Sequence, residues 1–349
     1  MKIPTSKFWK NKNVVITGHT GFTGAWLSQV LIFWGANIHG ISLKPNTNPS
    51  LFKILKLEKK ITSHHECDIN EYKKVEKIFK KINPEIIFHL AAQPIVKKAH
   101  QDPINTFSTN ICGTLNVCEA SRKIKKLKSL VLITTDKVYE NSLKKEKRFF
   151  NENDRLGGNE PYSVSKVAAE MIIKTYKSIF FDKKRLIVST ARAGNIIGGG
   201  DWGMYRLIPD IFRSFNKKIK ISIRNPNAIR PWQHVLDAVN GYILLAESNI
   251  GGSWNFGPIK KSQLKVIEIL KIFKKKENNL KWKIKKEKKI KETKYLNLNI
   301  QKSKKFLKWS PKLNIHETLN KTIEWYNSFY KKKDMIKITN QHIKEYYKS

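Results

Sequence analysis

The sequence predicts an α/β fold, with a doubly wound parallel sheet and a smaller α/β region for substrate binding in the C-terminal part. Three observations predict it. Short apolar runs alternate with helical patterns through the first half of the 349-residue chain, which is typical of a parallel sheet. The runs are almost wholly apolar, as strands buried on both faces are. A glycine-rich turn joins the first run to the first helix.

Predicted strands and helices alternate as far as residue 195. The strands are VVITG (14–18), NIHGISL (37–43), ITSHHECDI (61–69), EIIFHLAA (85–92), SLVLITT (129–135) and RLIVSTARAGN (185–195). The helical patterns cover residues 22–35, 71–82, 106–124 and 161–181. Parallel neighbours need long crossover connections, and these helices supply them. We therefore predict a Rossmann-type domain over residues 1–195.

The pattern loosens after residue 195, where we predict a region that mostly binds substrate, 196–349. Helices are expected over 206–218, 234–248 and 316–333, with a short strand at 221–225. The segment at about 230–250 is expected to return to the first domain. We expect a lysine-dense surface excursion over 274–294 and a loosely held end over the last dozen residues.

The net charge of +40 raises the question of a nucleic-acid partner. Only nine of the 68 basic residues are arginine, the side chain that base and phosphate recognition favours. A solvated lysine surface is therefore the favoured interpretation, with no nucleic-acid partner expected, and a nucleic-acid or anionic-surface role is the alternative. The sequence lacks a run of about 18 apolar residues and an apolar N-terminal stretch, so we expect neither a membrane helix nor a signal peptide.

The three cysteines are Cys67, Cys112 and Cys118, and they form no CxxC pair. This pattern indicates reduced packing residues in a cytoplasmic protein rather than a disulfide framework. It also gives no zinc site, and we expect no bound metal.

The glycine turn TGHTGFTG (17–24) follows the first strand and opens a helix. Such a turn lets the backbone approach a pyrophosphate and directs a helix N-terminus at its charge. We predict that the turn binds a dinucleotide through Gly18, Thr20, Gly21, Phe22, Thr23 and Gly24. The other predicted cofactor contacts are Asp68, Ile69, Leu90, Ala91 and Ala92, which follow the third and fourth strands. Asp68 can equally cap the helix that follows.

The acid that usually holds the ribose, about 20 residues beyond the glycines, is missing. The end of the second strand instead reads Ser42-Leu43-Lys44. The choice between NAD and NADP is therefore open on charge alone.

Tyr162 and Lys166 lie four residues apart at the start of a predicted helix, so they share one helical face. A tyrosine needs a neighbouring cation to lower its pKa of about 10 before it can act as a base. The stretch TTDKVYEN (134–141) adds hydroxyls, an acid and a lysine where a buried strand ends. Together these residues predict acid–base chemistry on a small substrate beside the dinucleotide.

These motifs resemble those of the extended short-chain dehydrogenase/reductases and, within them, the CDP-glucose 4,6-dehydratases. The resemblance is carried by TGHTGFTGAWL, PSLF, FHLAAQPIV, TTDKVYEN, ENDRLGG, PYSVSK, ARAGNIIGGGDW, RLIPDI, IRNPNAIRPWQHVLD, WNFGP and WSPKL. It runs nearly end to end, and IGGGDW and RPWQHV are its most specific parts.

The resemblance implies an NAD-dependent lyase that converts CDP-glucose into CDP-4-dehydro-6-deoxyglucose and water. Hydride would leave carbon 4 of the sugar for NAD and return to carbon 6 after elimination of water. Tyr162, supported by Lys166, would take the hydroxyl proton while Thr135 binds that hydroxyl. Asp136 would be the acid of the elimination. Lys137 would be its base or would stabilise the enolate, or would only pair with Asp136.

Six residues are predicted to bind the nucleotide sugar, namely Gln93, Asn195, Arg206, Arg224, Arg230 and Asn255. The resemblance implies Asn195 for the sugar nucleotide and Arg230 for its phosphates. Arginine forks suit a diphosphate, and their retention in a lysine-rich chain favours this role. For Arg224 a structural ion pair stays open as the alternative, and for Asn255 the alternative is the closing of a turn. Relatives pair through the helices around 106–124 and 161–181, so a homodimer is expected. The resemblance also implies a role in the biosynthesis of deoxysugars and of lipopolysaccharide O-antigen.

Two rival functions stay open at this point. One is another nucleotide-sugar dehydratase or a 4-epimerase of the same family, although an epimerase has no use for the Asp136–Lys137 pair. The other is a Rossmann sensor or anion-binding protein without catalysis, which would be free to lose Tyr162 and Lys166.

Overall fold

A computed structural model describes residues 3–141, 148–217, 219–259, 262–276, 280–284 and 296–348. Its strands are β1 (Asn13–Thr17), β2 (Asn37–Ser42), β3 (Ser63–Glu66), β4 (Ile86–His89), β5 (Ser129–Ile133), β6 (Phe149–Phe150), β7 (Ile187–Ala193), β8 (Asn195–Ile197), β9 (Ile221–Ile223), β10 (Ile229–His234), β11 (Gly252–Phe256), β12 (Gln263–Lys265), β13 (Trp282–Ile284) and β14 (Asn297–Leu298).

The helices connect and cover these strands. They are α1 (Ser6–Trp9), α2 (Phe22–Phe33), α3 (Leu51–Ile54), α4 (Tyr72–Ile82), α5 (Val96–Gln101), α6 (Pro103–Phe107), α7 (Gly113–Arg122), α8 (Pro161–Tyr176), α9 (Leu207–Lys217), α10 (Val235–Glu247), α11 (Val266–Lys276), α12 (Gln301–Leu307), α13 (Ile315–Tyr330) and α14 (Met335–Tyr347).

Seven parallel strands form the central sheet in the order β11-β7-β5-β4-β1-β2-β3. Alternate residues of one strand face opposite layers. Val14 and Ile16 of β1 belong to one apolar cluster, whereas Val15 belongs to the cluster on the other face. The predicted doubly wound α/β fold is confirmed, and the near-continuous apolar strands follow from burial on both faces.

The carboxyl ends of the central strands meet at one edge of the sheet. Thr17, the last residue of β1, pairs with His89 of β4, and His89 pairs with Leu132 of β5. The glycine turn, the residues after β4 and the stretch from Thr134 therefore share that edge, where open α/β sheets bind their ligands.

The chain returns to this sheet farther along than residue 250. Helix α10 contacts β5, β7 and α2, and β11 pairs with β7 at the edge of the sheet. The smaller sheets β12-β10-β8 and β13-β9 lie in the second half of the chain. The lysine-dense stretch predicted over 274–294 falls largely outside the described residues.

The expectation of a loosely held C-terminal end is wrong. Helix α14 buries Met335, His342, Ile343 and Tyr346 against the rest of the chain. It contacts α2 and α13, so its apolar face has partners that the sequence does not reveal locally.

Candidate functional site

The glycine turn after β1 leaves no room for a side chain at Gly18 or Gly24. Gly18 has φ +75°, and a Cβ there would lie 2.7 Å from the backbone nitrogen of Ala91. A Cβ on Gly24 would lie 2.3 Å from the carbonyl oxygen of Gly18. Gly21 precedes α2 and offers no side-chain acceptor to the first turn of the helix. The backbone therefore forms a cradle that fits a pyrophosphate at a helix N-terminus.

The other predicted residues of the turn hold it in place. The Thr20 hydroxyl lies 2.7 Å from Ser42 Oγ and donates to the Leu43 carbonyl oxygen at 3.0 Å, which ties the turn to the end of β2. Phe22 and Thr23 are half-buried in the first turn of α2. Their contacts with a cofactor stay predictions.

The residues after β3 and β4 frame the same edge. The Asp68 carboxylate accepts from the Asn70 amide at 2.9 Å, so it closes a turn rather than capping α4, whose first flanking residue is Glu71. Ile69 is buried against Gly113, where a Cβ would lie 2.4 Å from it. Leu90, Ala91 and Ala92 are half-buried beside the cradle.

Thr135, Asp136 and Lys137 begin a short helical turn directly after β5. Asp136 is fully buried, and its Oδ1 accepts from the Thr135 hydroxyl at 3.1 Å and from Lys137 Nζ at 3.3 Å. Its Oδ2 has no hydrogen-bond partner among the described residues. One oxygen is thus fixed by neighbours, and the other remains available for a proton.

Tyr162 brings the first turn of α8 to the same place. Its phenol is buried, 7% exposed, and burial raises its pKa, while Lys137 and a hydrogen bond with Thr135 oppose that rise. The convergence of Tyr162 with Asp136 and Lys137 agrees with the predicted catalytic set. Their catalytic roles stay predictions.

Lys166 differs from the sequence-based expectation. It lies buried on the same helix as Tyr162, but its Nζ donates to the carbonyl oxygen of Ile133 at 3.2 Å. Burial lowers its pKa to about 8, and Glu170 acts in the opposite direction. The cation that opposes the rise in the pKa of Tyr162 is Lys137, a neighbour that the helical spacing does not indicate.

Lys137 is held as a cation rather than as a free base. Burial acts to lower its pKa, but the charges of Asp136 and Tyr162 outweigh burial and leave that pKa raised. Of the roles left open for Lys137, electrostatic stabilisation is therefore favoured over proton abstraction.

Two of the predicted arginines face this group. Arg206 donates to Asp201 Oδ2 at 2.9 Å, and that carboxylate raises its pKa, with Tyr162 adding to the effect. Arg230 lies close enough to Lys137 to act against its charge. Arg224 instead lies near Asp210, whose pKa it helps to lower against the raising effect of burial.

The remaining predicted substrate contacts separate into two groups. Asn195, at the start of β8, is half-buried beside Trp232 of β10. Gln93 uses its side chain locally, because its Nε2 donates to Thr106 Oγ1 at 2.8 Å and its Oε1 accepts from the Ile95 amide at 2.7 Å. A substrate contact by Gln93 requires exchange of those bonds.

Asn255 does not lie at the site, so the prediction that it binds substrate is wrong. It is fully buried, and its amide donates to the carbonyl oxygens of Phe150 and Asn299. Its Oδ1 accepts from the Tyr139 hydroxyl at 2.6 Å. Every polar atom of this side chain is used to join β11 to its neighbours.

A second cluster of an acid, a cation, a phenol and a threonine lies beside the first, at the end of the same strand. Arg192 pairs with Glu170 through two bonds of 2.9 Å, and it also donates to the Tyr139 hydroxyl at 3.0 Å. Thr134 donates to Glu170 Oε1 at 2.7 Å. All of these groups are buried and bonded to each other, which identifies Tyr139 and Arg192 as structural.

His89 and Asn110 are also structural. The His89 ring lies between Thr17 Oγ1 at 2.7 Å and Thr114 Oγ1 at 3.2 Å, and burial lowers its pKa to about 3. Asn110 donates to Ser165 Oγ at 2.9 Å and so braces α8.

Sequence reasoning missed residues that position the site. Glu160 accepts from the amides of Tyr162 and Ser163 and thereby fixes the start of α8, and the signal was an acid directly before Pro161. Asp201 holds Arg206, and its signal was the acid in IGGGDW.

Comparisons with known proteins identify the family of the chain. The family model described as GDP-mannose 4,6 dehydratase matches residues 15–322. The chain belongs to that family. It is 38% identical to the CDP-glucose 4,6-dehydratase of Salmonella typhimurium, with 97% of each chain covered. The UDP-glucuronate 4-epimerase of Thermodesulfobacterium geofontis is 27% identical, covering 89% of this chain and 95% of the relative.

Solved structures of nucleotide-sugar enzymes share the fold of this family member. UDP-glucose 4-epimerase of Thermotoga maritima superposes with a TM-score of 0.79 at 24% identity, over 91% of this chain and 99% of the other. UDP-glucuronic acid 4-epimerase of Bacillus cereus, solved with UDP-glucuronic acid and NAD, gives 0.78 at 20% identity over the same shares. The chain is thus an extended short-chain dehydrogenase/reductase of the nucleotide-sugar dehydratase group.

Two further features are absent from the part of the chain that the structure describes. No helix among them is long and apolar enough to span a membrane. Within the same residues, no three His, Cys, Asp or Glu side chains are grouped so that they could hold a metal ion.

Proposed function

We propose that this enzyme is a CDP-glucose 4,6-dehydratase, which forms CDP-4-dehydro-6-deoxyglucose and water with NAD as its resident cofactor. The observation that carries the proposal is the pair of fully buried Asp136 and partly exposed Lys137 beside the Tyr162 phenol. Elimination needs an acid for the leaving hydroxyl, which epimerisation does not. The 38% identity with the Salmonella CDP-glucose enzyme supports the choice of substrate.

NAD fits the cradle at Gly18 and Gly24 and supplies the acceptance and return of a hydride when bound. Tyr162 takes the proton of the sugar hydroxyl, and Thr135, in contact with it, binds that hydroxyl. The charge of Lys137 favours the phenolate and, later, the enolate.

In the elimination, Asp136 donates a proton to the hydroxyl of carbon 6, which leaves as water, and the carboxylate so formed accepts the proton that carbon 5 loses. Its unbonded Oδ2 is the oxygen that carries this proton, because Oδ1 is already held by Thr135 and Lys137. Arg206 and Arg230, both within electrostatic reach of the central groups, bind the diphosphate.

The two parts of the chain divide this work. We propose that residues 1–195 hold the cofactor and the catalytic side chains, and that residues 196–349 mostly hold the nucleotide sugar. An exception is the segment that returns to the first part, because α10 packs against β5 and β7 and β11 pairs with β7.

The proposed assembly is a homodimer that pairs through α6, α7 and α8. Ile104 is 83% exposed, and Leu115, Val164 and Met171 are also exposed large apolar residues of these helices. Light scattering should give twice the chain mass for the enzyme, and Val164→Lys with Met171→Lys should give a monomer. A monomeric wild-type protein would refute this part.

We further propose that the enzyme works in the cytoplasm, without membrane association, in the supply of deoxysugars for lipopolysaccharide O-antigen. The free thiols of Cys67, Cys112 and Cys118 support a reducing compartment.

The test is incubation of the purified enzyme with NAD and CDP-, UDP-, dTDP- or GDP-glucose. We expect CDP-glucose to give a product that has lost one water and absorbs in the near ultraviolet in alkali, without net NADH. An isomer of unchanged mass would favour a 4-epimerase. No reaction with any of the four sugars would refute the dehydratase assignment.

A further inference from the structure

The end of β2 lies beside the phosphate turn and determines what meets the adenosine ribose. The Thr20 hydroxyl contacts both Ser42 Oγ at 2.7 Å and the Leu43 carbonyl oxygen at 3.0 Å. In sheets of this kind the ribose hydroxyls lie at the end of the second strand, where a carboxylate accepts from them. In this chain the next residue is Lys44, with 79% of its side chain exposed.

The nearest carboxylate partner of Lys44 is on the neighbouring strand. Glu66 Oε1, at the end of β3, lies 3.7 Å from Lys44 Nζ, and 53% of the Glu66 side chain is exposed. An ion pair this exposed binds weakly, so the ammonium group can turn toward a stronger anion. It also offsets the charge of Glu66, a carboxylate that would repel a phosphate here.

The reaction itself does not impose a choice of dinucleotide. The hydride that leaves the sugar returns to it within one turnover, so the cofactor is not exchanged with a cellular pool. A phosphate on the ribose is distant from the nicotinamide chemistry. Discrimination therefore depends on the side chains at the end of β2.

We propose that Lys44, with the Ser42 hydroxyl beside it, makes this enzyme accept NADP as well as NAD. A carboxylate at residue 44 would repel the ribose phosphate, whereas an ammonium group attracts it. This inference rests on the proposed function only in placing a dinucleotide at the glycine turn.

The experiment is equilibrium binding of NAD and NADP to the cofactor-stripped enzyme, measured by calorimetry without any sugar. We expect the two dissociation constants of the wild type to agree within about tenfold, and Lys44→Asp to shift their ratio by about thirtyfold toward NAD. The ratio of the two dissociation constants in Lys44→Ala should lie between the ratios of the wild type and of Lys44→Asp. Thermal unfolding checks that each variant is folded.

Lys271→Asp is the matched control, because Lys271 is an exposed lysine of α11 and the substitution changes the net charge equally. We expect it to leave the ratio unchanged. Equal shifts in Lys44→Asp and Lys271→Asp would overturn the proposal, as would wild-type binding of NAD more than about a hundredfold tighter than NADP.

The Glu66→Gln variant distinguishes the contribution of Glu66 to dinucleotide binding from that of Lys44. We expect it to leave NAD binding nearly unchanged and to strengthen NADP binding. Loss of NAD binding in Glu66→Gln would assign the ribose to Glu66 and overturn the role of Lys44. Because no sugar is present, none of these results depends on whether CDP-glucose is the substrate.

Discussion

Two clusters of the same kinds of side chain lie next to each other where β5 ends, and both include residues of α8. Thr134, Glu170, Arg192 and Tyr139 form a closed network in which each group has its partner. Thr135, Asp136, Lys137 and Tyr162 have the same chemical groups, but Asp136 Oδ2 lacks a partner among the described residues. Composition does not distinguish a structural cluster from a reactive one. What distinguishes them is the presence of a buried acceptor atom, Asp136 Oδ2, that has no hydrogen-bond partner among the described residues.

Substitution of the phenols Tyr162 and Tyr139 should show the largest difference in effect between the two clusters. We expect Tyr162→Phe to lower turnover by about a thousandfold, because it removes the base, with little change in folding. Tyr139→Phe should destabilise the fold by about 1–3 kcal/mol through the bonds it breaks, and keep its turnover per folded molecule. The measurements are product formation from CDP-glucose and denaturant unfolding. Equal turnover in the two variants would break the comparison.

Substitution of the carboxylates Asp136 and Glu170 should show the next largest difference in effect between the two clusters. Asp136→Asn keeps an acceptor for Thr135 but cannot donate the proton, so we expect turnover to fall about a hundredfold. Glu170→Gln leaves Arg192 without its counter-charge, and we expect it to cost about 3 kcal/mol of unfolding free energy. If Asp136→Asn alone destabilised the fold, the assignment of the open cluster would be wrong.

Asp237 tests whether an open carboxylate oxygen is enough for reactivity. Its Oδ2 also lacks a described partner, but it lies against Tyr346 and the Lys312 amide. Burial raises its pKa to about 7. The folded state therefore binds a proton that the unfolded state releases at about pH 4, and stability falls as pH rises between these values.

We expect wild-type unfolding free energy to decrease by about 2 kcal/mol more than that of Asp237→Asn between pH 5 and 7. Turnover should not change, because no cation or phenolate of the site lies beside this residue. Chemical denaturation across pH measures the first effect, and a parallel pH dependence in both proteins would contradict it.

Substitution of the threonines Thr135 and Thr134 should show the smallest difference in effect between the two clusters. Thr135→Val removes the hydroxyl that contacts Tyr162 and should lower turnover about tenfold, whereas Thr134→Val should cost about 1 kcal/mol of stability. Both are conservative in shape, so a loss of folding in Thr135→Val would argue against a role in substrate binding.

The sequence predicted what local spacing determines. The glycines at 18, 21 and 24 and the start of α8 follow from a turn and a helical period, and the structure has them in the expected places. It did not predict that Lys166 would bond to Ile133, that Asn255 would close a buried network, or that α14 would be ordered. Each of those depends on a contact between segments far apart in the chain.

Helix α14 has a consequence for the stability of the nucleotide-binding part. Gln29 of α2 donates to Asn340 at 2.7 Å, and the centroids of the Trp34 and Tyr347 rings lie 4.6 Å apart, so α14 covers the outer side of the helix that starts at the cradle. Without α14 this side of α2 would face water, and a variant truncated before residue 335 is expected to lose stability around the glycine turn.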